Sequence, residues 1–155
     1  MEYSLTWVIA SAVLSLIFAG LLTRFILKQS QGSDKMKEIA KAIQEGAMAF
    51  LHREYKVVSY FSIAVIILLY HFINWQTAVA FLVGAVSSAT AGYIGMKIAT
   101  KANVRTAHAA SNNLSSALRI AFSSGAVMGF SVVGFGLLGL TVLYQIFGKK
   151  NCPLQ

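Results

Sequence analysis

The sequence holds one cysteine, one proline and five acidic residues in 155. Each scarcity removes a class of protein. A lone thiol, Cys152, cannot close a disulfide within the chain, and no Cys and His stand at the spacing of a structural zinc site. One proline, with twelve glycines scattered through an apolar background, excludes collagen-like, proline-rich and disordered classes. Only 12% of residues are charged, about half the share of a soluble domain, while 57% are hydrophobic. Such a chain belongs in a bilayer. No acid stands inside any long apolar run, which argues against a self-contained proton or cation carrier of the small four-helix exporter kind.

What is abundant is apolar length. Four runs stand out, over about residues 3–22, 55–73, 77–98 and 120–147. A helix needs about 20 apolar residues to cross a hydrocarbon core about 30 Å thick, and a bilayer leaves no backbone group unpaired. These runs are too long for barrel strands of about 10 residues. The expected fold is all-α: a single multi-pass membrane helix bundle, 1–155, with four transmembrane helices. The first run is not a signal peptide, because Met1-Glu2 precedes it and the positive residues, Arg24 and Lys28, follow. It is expected to stay in the mature protein.

Placement of charge gives an orientation. The net charge is +8, and eleven of the thirteen Lys and Arg residues fall in two places. Arg24, Lys28, Lys35, Lys37, Lys41, Arg53 and Lys56 lie between the first and second spans, and Lys97, Lys101, Arg105 and Arg119 lie around the third connection. Only Lys149 and Lys150 fall on the opposite side, and the connection from His71 to Gln76 has no Lys or Arg. The positive-inside rule places both large loops in the cytoplasm and both termini, with Cys152, outside. Topology thus absorbs the charge, and a nucleic-acid partner loses its motivation.

Within the first loop, Met36, Ile39, Ala40, Ile43, Ala47, Phe50 and Leu51 recur at three- and four-residue spacing. The pattern predicts a cytoplasmic amphipathic helix over 33–55 that extends the second span, with a helix lying on lipid as the alternative. Ser33 is placed to cap it, Asp34 sits where the helix dipole favours an anion, and Lys41 can pair with Glu45. Small residues mark the spans. Ala80, Gly84, Ser88 and Gly92 follow at intervals of four, with Gly95 nearby, and Gly125 and Gly129 repeat the interval, so close helix packing is expected on these ridges.

Some patterns lead nowhere. Gly134, Gly136 and Gly139 match GxGxxG, but in mid-span with no strand before and no acid after they predict helix packing rather than a dinucleotide. His52, His71 and His108 are far apart without a carboxylate at ligand spacing and receive no role. The basic 97–119 stretch, with Asn103, Arg105, Thr106 and Asn112, suggests an anion-binding element, although the positive-inside rule accounts for the same charges.

Longer words carry a resemblance. IQEGAMAFLHREYK from Ile43 to Lys56, FLVGAVSS from Phe81 to Ser88, GYIGMKIATKANVRT from Gly92 to Thr106 and AFSSGAVMG from Ala121 to Gly129 resemble, in order, membrane-bound ion-translocating inorganic pyrophosphatases. The resemblance covers residues 35–147. It implies a large all-helical homodimer, multi-pass in the cell inner membrane, that couples hydrolysis of magnesium pyrophosphate at a cytoplasmic site to movement of H+ or Na+. In that family the Mg2+ and pyrophosphate are held by acidic and lysine-containing motifs on helices that follow the fourth. None of those motifs is in this chain. Its carboxylates beyond the N-terminus, Asp34, Glu38, Glu45 and Glu54, all lie on the amphipathic segment and read as surface pairing. Catalytic, cofactor-binding and metal-ligating residues are therefore expected to be none. The closing KKNCPLQ, Lys149 to Gln155, matches no word of the family, and the chain reads as an N-terminal fragment, a premature end or frameshift being one origin. Two readings compete: supporting helices of a pump whose active site lies elsewhere, or a stand-alone four-helix membrane protein that packs against a partner without catalysis.

Overall fold

Three helix starts are fixed by a side chain that accepts from the first turn. Ser33 Oγ accepts from Met36 N at 3.4 Å, and Asn74 Oδ1 from Thr77 N and Asn113 Oδ1 from Ser115 N at 2.8 Å each. Each satisfies an N–H that a helix leaves unpaired. The computed structural model describes residues 2–148, so Cys152, Lys149 and Lys150 lie outside the described residues. Four helices follow in order: α1 Glu2–Lys28, α2 Asp34–Phe72, α3 Trp75–Ala110 and α4 Leu114–Leu143, the last running into a π-helical turn, Tyr144–Gly148. All four are long and apolar enough to cross a membrane. The chain is an integral membrane protein.

Helix length divides the molecule into two levels. At 39 residues α2 is about 58 Å long, nearly twice the thickness of a hydrocarbon core. The amphipathic segment and the second apolar run are one unbroken helix, and α3, of 36 residues, matches it. Both therefore project past the bilayer at the end that carries the basic residues. Gly32 makes the turn into α2 with φ +78°, and a Cβ there would stand 2.6 Å from Met36 Sδ and 2.9 Å from His108 Nδ1. Backbone and space both require glycine.

Packing is uneven. α4 lies along both α1 and α3, α1 touches α3 briefly, and α2 packs on α3 without comparable contact to α1 or α4. Ala19 and Ile26 of α1, Ile98 and Ala102 of α3, and Ile120 and Val127 of α4 form the buried core, with the Phe18 and Phe130 rings edge to face at 5.0 Å. The core thus sits toward the basic end. At the other end a groove of about 330 Å³ lies between α3 and α4, lined by Val83, Gly84, Ser87, Phe135, Gly139 and Leu143 among others. Trp7, Phe61, Phe72 and Phe122 are exposed, as a surface solvated by lipid tails allows. Buried Ser131 donates its hydroxyl to Val127 O at 2.7 Å and Thr100 to Met96 O at 3.0 Å, so neither leaves a polar group unpaired in the core.

The small-residue ridge expected on α3 does not meet one neighbour. Gly95 is buried against Met128 of α4, Gly92 faces Tyr55 of α2, and Gly84 and Ser88 are exposed. Gly125 and Gly129 are exposed as well. The reason is helical geometry: a step of four residues overshoots a turn by about 40°, so three steps carry the stripe about 120° around the helix. The glycines of the GxGxxG pattern behave as expected of packing at two positions. A Cβ at Gly134 would stand 2.6 Å from Leu16 Cδ2 of α1, and one at Gly139 would stand 3.4 Å from Val83 Cγ1 of α3, while Gly136 meets nothing within 4 Å.

Where α2 meets α3, the Tyr55 hydroxyl donates to Ala89 O at 2.6 Å, and a Cβ at Gly92 would stand 3.0 Å from the Tyr55 hydroxyl oxygen. Tyr55→Phe is expected to cost about 1 kcal/mol, the net worth of one such bond. Gly92→Leu, which also displaces the ring, is expected to cost more. Unfolding in a denaturing detergent, followed by circular dichroism, measures both, and equal tolerance of the two changes would mean that α2 is held elsewhere.

Candidate functional site

The last turn of α1 leaves carbonyls without helical partners, as every helix C-terminus does. Arg105 of α3 reaches them. Its side chain is 6% exposed, Nε donates to Gln29 O at 3.2 Å, Nη1 to Lys101 O at 2.6 Å and Nη2 to Leu27 O at 3.5 Å. A cation there also opposes the negative end of the α1 dipole. Burial draws the Arg105 pKa down from its ordinary value, yet a guanidinium stays protonated at neutral pH. One residue thus ties α3 to the end of α1.

Beside this clamp lies a polar cleft of about 180 Å³. Lys37, Lys41 and Gln44 of α2, Gln31 of the turn, and Lys101 and Arg105 of α3 line it. Lys37 pairs with Asp34 at 2.8 Å, which holds that carboxyl below the usual carboxylate range, and Lys41 stands 3.9 Å from Glu45. Both acids therefore sit in surface ion pairs on α2, and the Lys41 and Glu45 pair is the one their spacing suggested.

The residues named for an anion-binding element within 97–119, the weaker reading beside the positive-inside rule, do not come together as a set. Asn103 is exposed, the Asn112 amide donates to His108 O at 3.5 Å, and Arg119 stands over the Phe25 ring at 5.2 Å. Of that stretch, Lys101 and Arg105 line the cleft. Their companions from α2, Lys37 and Lys41, were not tied to it in the sequence. A signal was present, since Lys37/Lys41 and Lys101/Arg105 are both basic pairs four apart, each on one helix face.

The remaining titratable residues do not converge. His52 and His71 are exposed, and His108 is half-buried beside Gly32. Among the described residues no three His, Cys, Asp or Glu side chains come together. The carboxylates from Asp34 to Glu54 are strung along about 30 Å of α2. A divalent cation with a phosphate substrate needs several clustered oxygen donors, and this donor set does not fit one.

The chain is similar to known proteins over most of its length. A family model described as inorganic H+ pyrophosphatase matches residues 13–154. The chain is 48% identical over 139 residues to a K(+)-stimulated pyrophosphate-energized sodium pump of Thermotoga maritima, covering 88% of this chain and 19% of that protein. It belongs to the inorganic H+ pyrophosphatase family. A K(+)-insensitive pyrophosphate-energized proton pump of Methanosarcina mazei is 45% identical over 143 residues, covering 91% of this chain and 21% of that protein. Proton pump 2 of Moorella thermoacetica, also K(+)-insensitive and pyrophosphate-energized, is 44% identical over 147 residues, covering 94% and 22%. This pyrophosphatase-family chain spans about a fifth of the length of the curated relatives it matches.

Proposed function

We propose that this chain is the N-terminal membrane-spanning portion of a pump that couples pyrophosphate hydrolysis to H+ or Na+ translocation, supplying scaffold helices without the active site. One observation carries the reading: near-complete coverage of the chain by pump relatives at 44–48% identity, against about a fifth of their length. Phosphoryl transfer relies on positioning and on charge neutralisation by metal and cations, and the dispersed carboxylates of α2 supply neither. In this reading Mg2+ and pyrophosphate are held by the rest of a full-length protein, working as a homodimer, whose remaining helices pack on the exposed Gly84 and Ser88 face of α3.

The chain alone is expected to release no phosphate from pyrophosphate and to pump no ion. Reconstitution in liposomes with Mg2+ and pyrophosphate, reading phosphate and internal pH, tests this, and is repeated with the missing helices supplied as a second polypeptide. Activity only with that second polypeptide supports the scaffold role. Activity of the chain alone would sink it, and inactivity of both would favour a stand-alone, partner-packing protein.

For orientation, the division of basic residues supports cytoplasmic loops at the cleft end and both termini outside, in a cell inner membrane. Cys152 is the sole thiol. An impermeant maleimide is expected to label it in intact cells, and labelling only after lysis reverses the orientation.

A further inference from the structure

We propose that the cleft between α1, α2 and α3 binds a phosphate group, carried by an anionic phospholipid or free in solution. Four basic residues from two helices line it: Lys37 and Lys41, one turn apart on α2, and Lys101 and Arg105, one turn apart on α3. Like charges at four-residue spacing repel, and both pairs do so while facing one space. Asp34 and Glu45 offset Lys37 and Lys41 from outside the lining, which leaves two positive charges in excess. A bound anion would remove that repulsion.

Size and donors agree with the charge. About 180 Å³ is several times the ~30 Å³ a water molecule takes in the liquid, enough for a phosphate group with some of its hydration. Each ammonium carries three N–H groups and the guanidinium five, of which Arg105 directs three to carbonyls. The amides of Gln31 and Gln44 stand in the same wall.

The cleft begins at the membrane surface and extends away from it: Lys101 follows the expected end of the third span, Ile98, by about 5 Å along the helix and Arg105 by about 10 Å, while Lys41 lies about 20 Å before the expected start of the second span. Basic pockets between membrane helices on the cytoplasmic side hold anionic headgroups, and the outer part of this one is open to a free anion. The positive-inside rule asks only that loops be basic; it does not ask that cations from two helices close around one polar cavity.

The test uses the full chain in phosphatidylcholine nanodiscs, titrated at constant ionic strength with inorganic phosphate in one arm and with phosphatidylglycerol in the disc in the other. The thermal midpoint is read. A saturable rise with phosphatidylglycerol alone assigns the site to a lipid headgroup, and a rise with phosphate assigns it to the free anion. Lys41→Gln with Lys101→Gln is expected to weaken the response about tenfold, the worth of one charge-assisted hydrogen bond. Lys56→Gln with Lys97→Gln removes the same charge at the same end outside the cleft and is expected to leave it unchanged, and Lys101→Arg is expected to retain it. Equal weakening by the two double variants, or no saturable response in the unaltered chain, overturns the proposal.

Discussion

Arg105→Met is expected to lower the stability of the bundle by about 3 kcal/mol, the sum of two or so charge-assisted hydrogen bonds and the carbonyls their loss leaves unpaired. Methionine keeps most of the stem's volume, so the change isolates the guanidinium. With it gone, the Leu27 and Gln29 carbonyls face a part-buried contact that has lost its donor, because Arg105 is the α3 group that reaches both. The dipole of α1 loses its counter-charge as well. Arg105→Lys is expected to recover about half of the loss, since one ammonium reaches one carbonyl well and lacks the planar fork. Detergent unfolding monitored by circular dichroism measures both variants. A loss below about 0.5 kcal/mol for Arg105→Met, the range of ordinary surface changes, would mean that water already satisfies the end of α1.

That clamp also shows where sequence reasoning runs out. The four helices were legible because apolar length is a local property: each expected span falls on one observed helix, the second ending one residue past α2 and the fourth running on from α4 into the π-helical turn, and the capping of α2 by Ser33 and the Lys41 and Glu45 pair follow from spacings of three and four. The amphipathic pattern from Met36 to Leu51 likewise announced that α2 begins well before its span. Family membership was legible in words such as GMKIATKANVRT, because a long ordered word is specific even without knowledge of what each residue touches. Partnership across the chain was not legible. Arg105 meets carbonyls 76 and 78 residues away, and the cleft joins lysines from α2 and α3 that no single stretch contains. The small-residue ridge failed for a different reason: spacing says which residues lie nearly in line, whereas the drift of that line around α3 decides which neighbour each one meets. Gly92 and Gly95, three apart, face different helices.

The same drift produces the sharpest contrast on α4. Gly134→Ala is expected to destabilise the bundle by about 1–3 kcal/mol, the usual cost of forcing extra volume into a packed contact, while Gly136→Ala, two residues on, is expected to be neutral or mildly stabilising. Glycine at 134 lets α1 and α4 approach until an added Cβ would stand 2.6 Å from Leu16 and 3.2 Å from Ala12 O. Leu16 is a side chain and can rotate. The Ala12 carbonyl is backbone and can yield only if the helices part, which loosens the buried Ala12 contact above and the Phe18 and Phe130 pair below. At Gly136 nothing lies within 4 Å, so alanine there meets no clash and gains up to about 1 kcal/mol of helix propensity. Lipid exposure does not blur the comparison, because both changes add one methyl group to one helix. Detergent unfolding of the two variants side by side gives the difference directly. A Gly134→Ala midpoint equal to that of Gly136→Ala would mean that α1 is not seated on α4 at this depth, and the core would then have to be held by α3 and α4 alone.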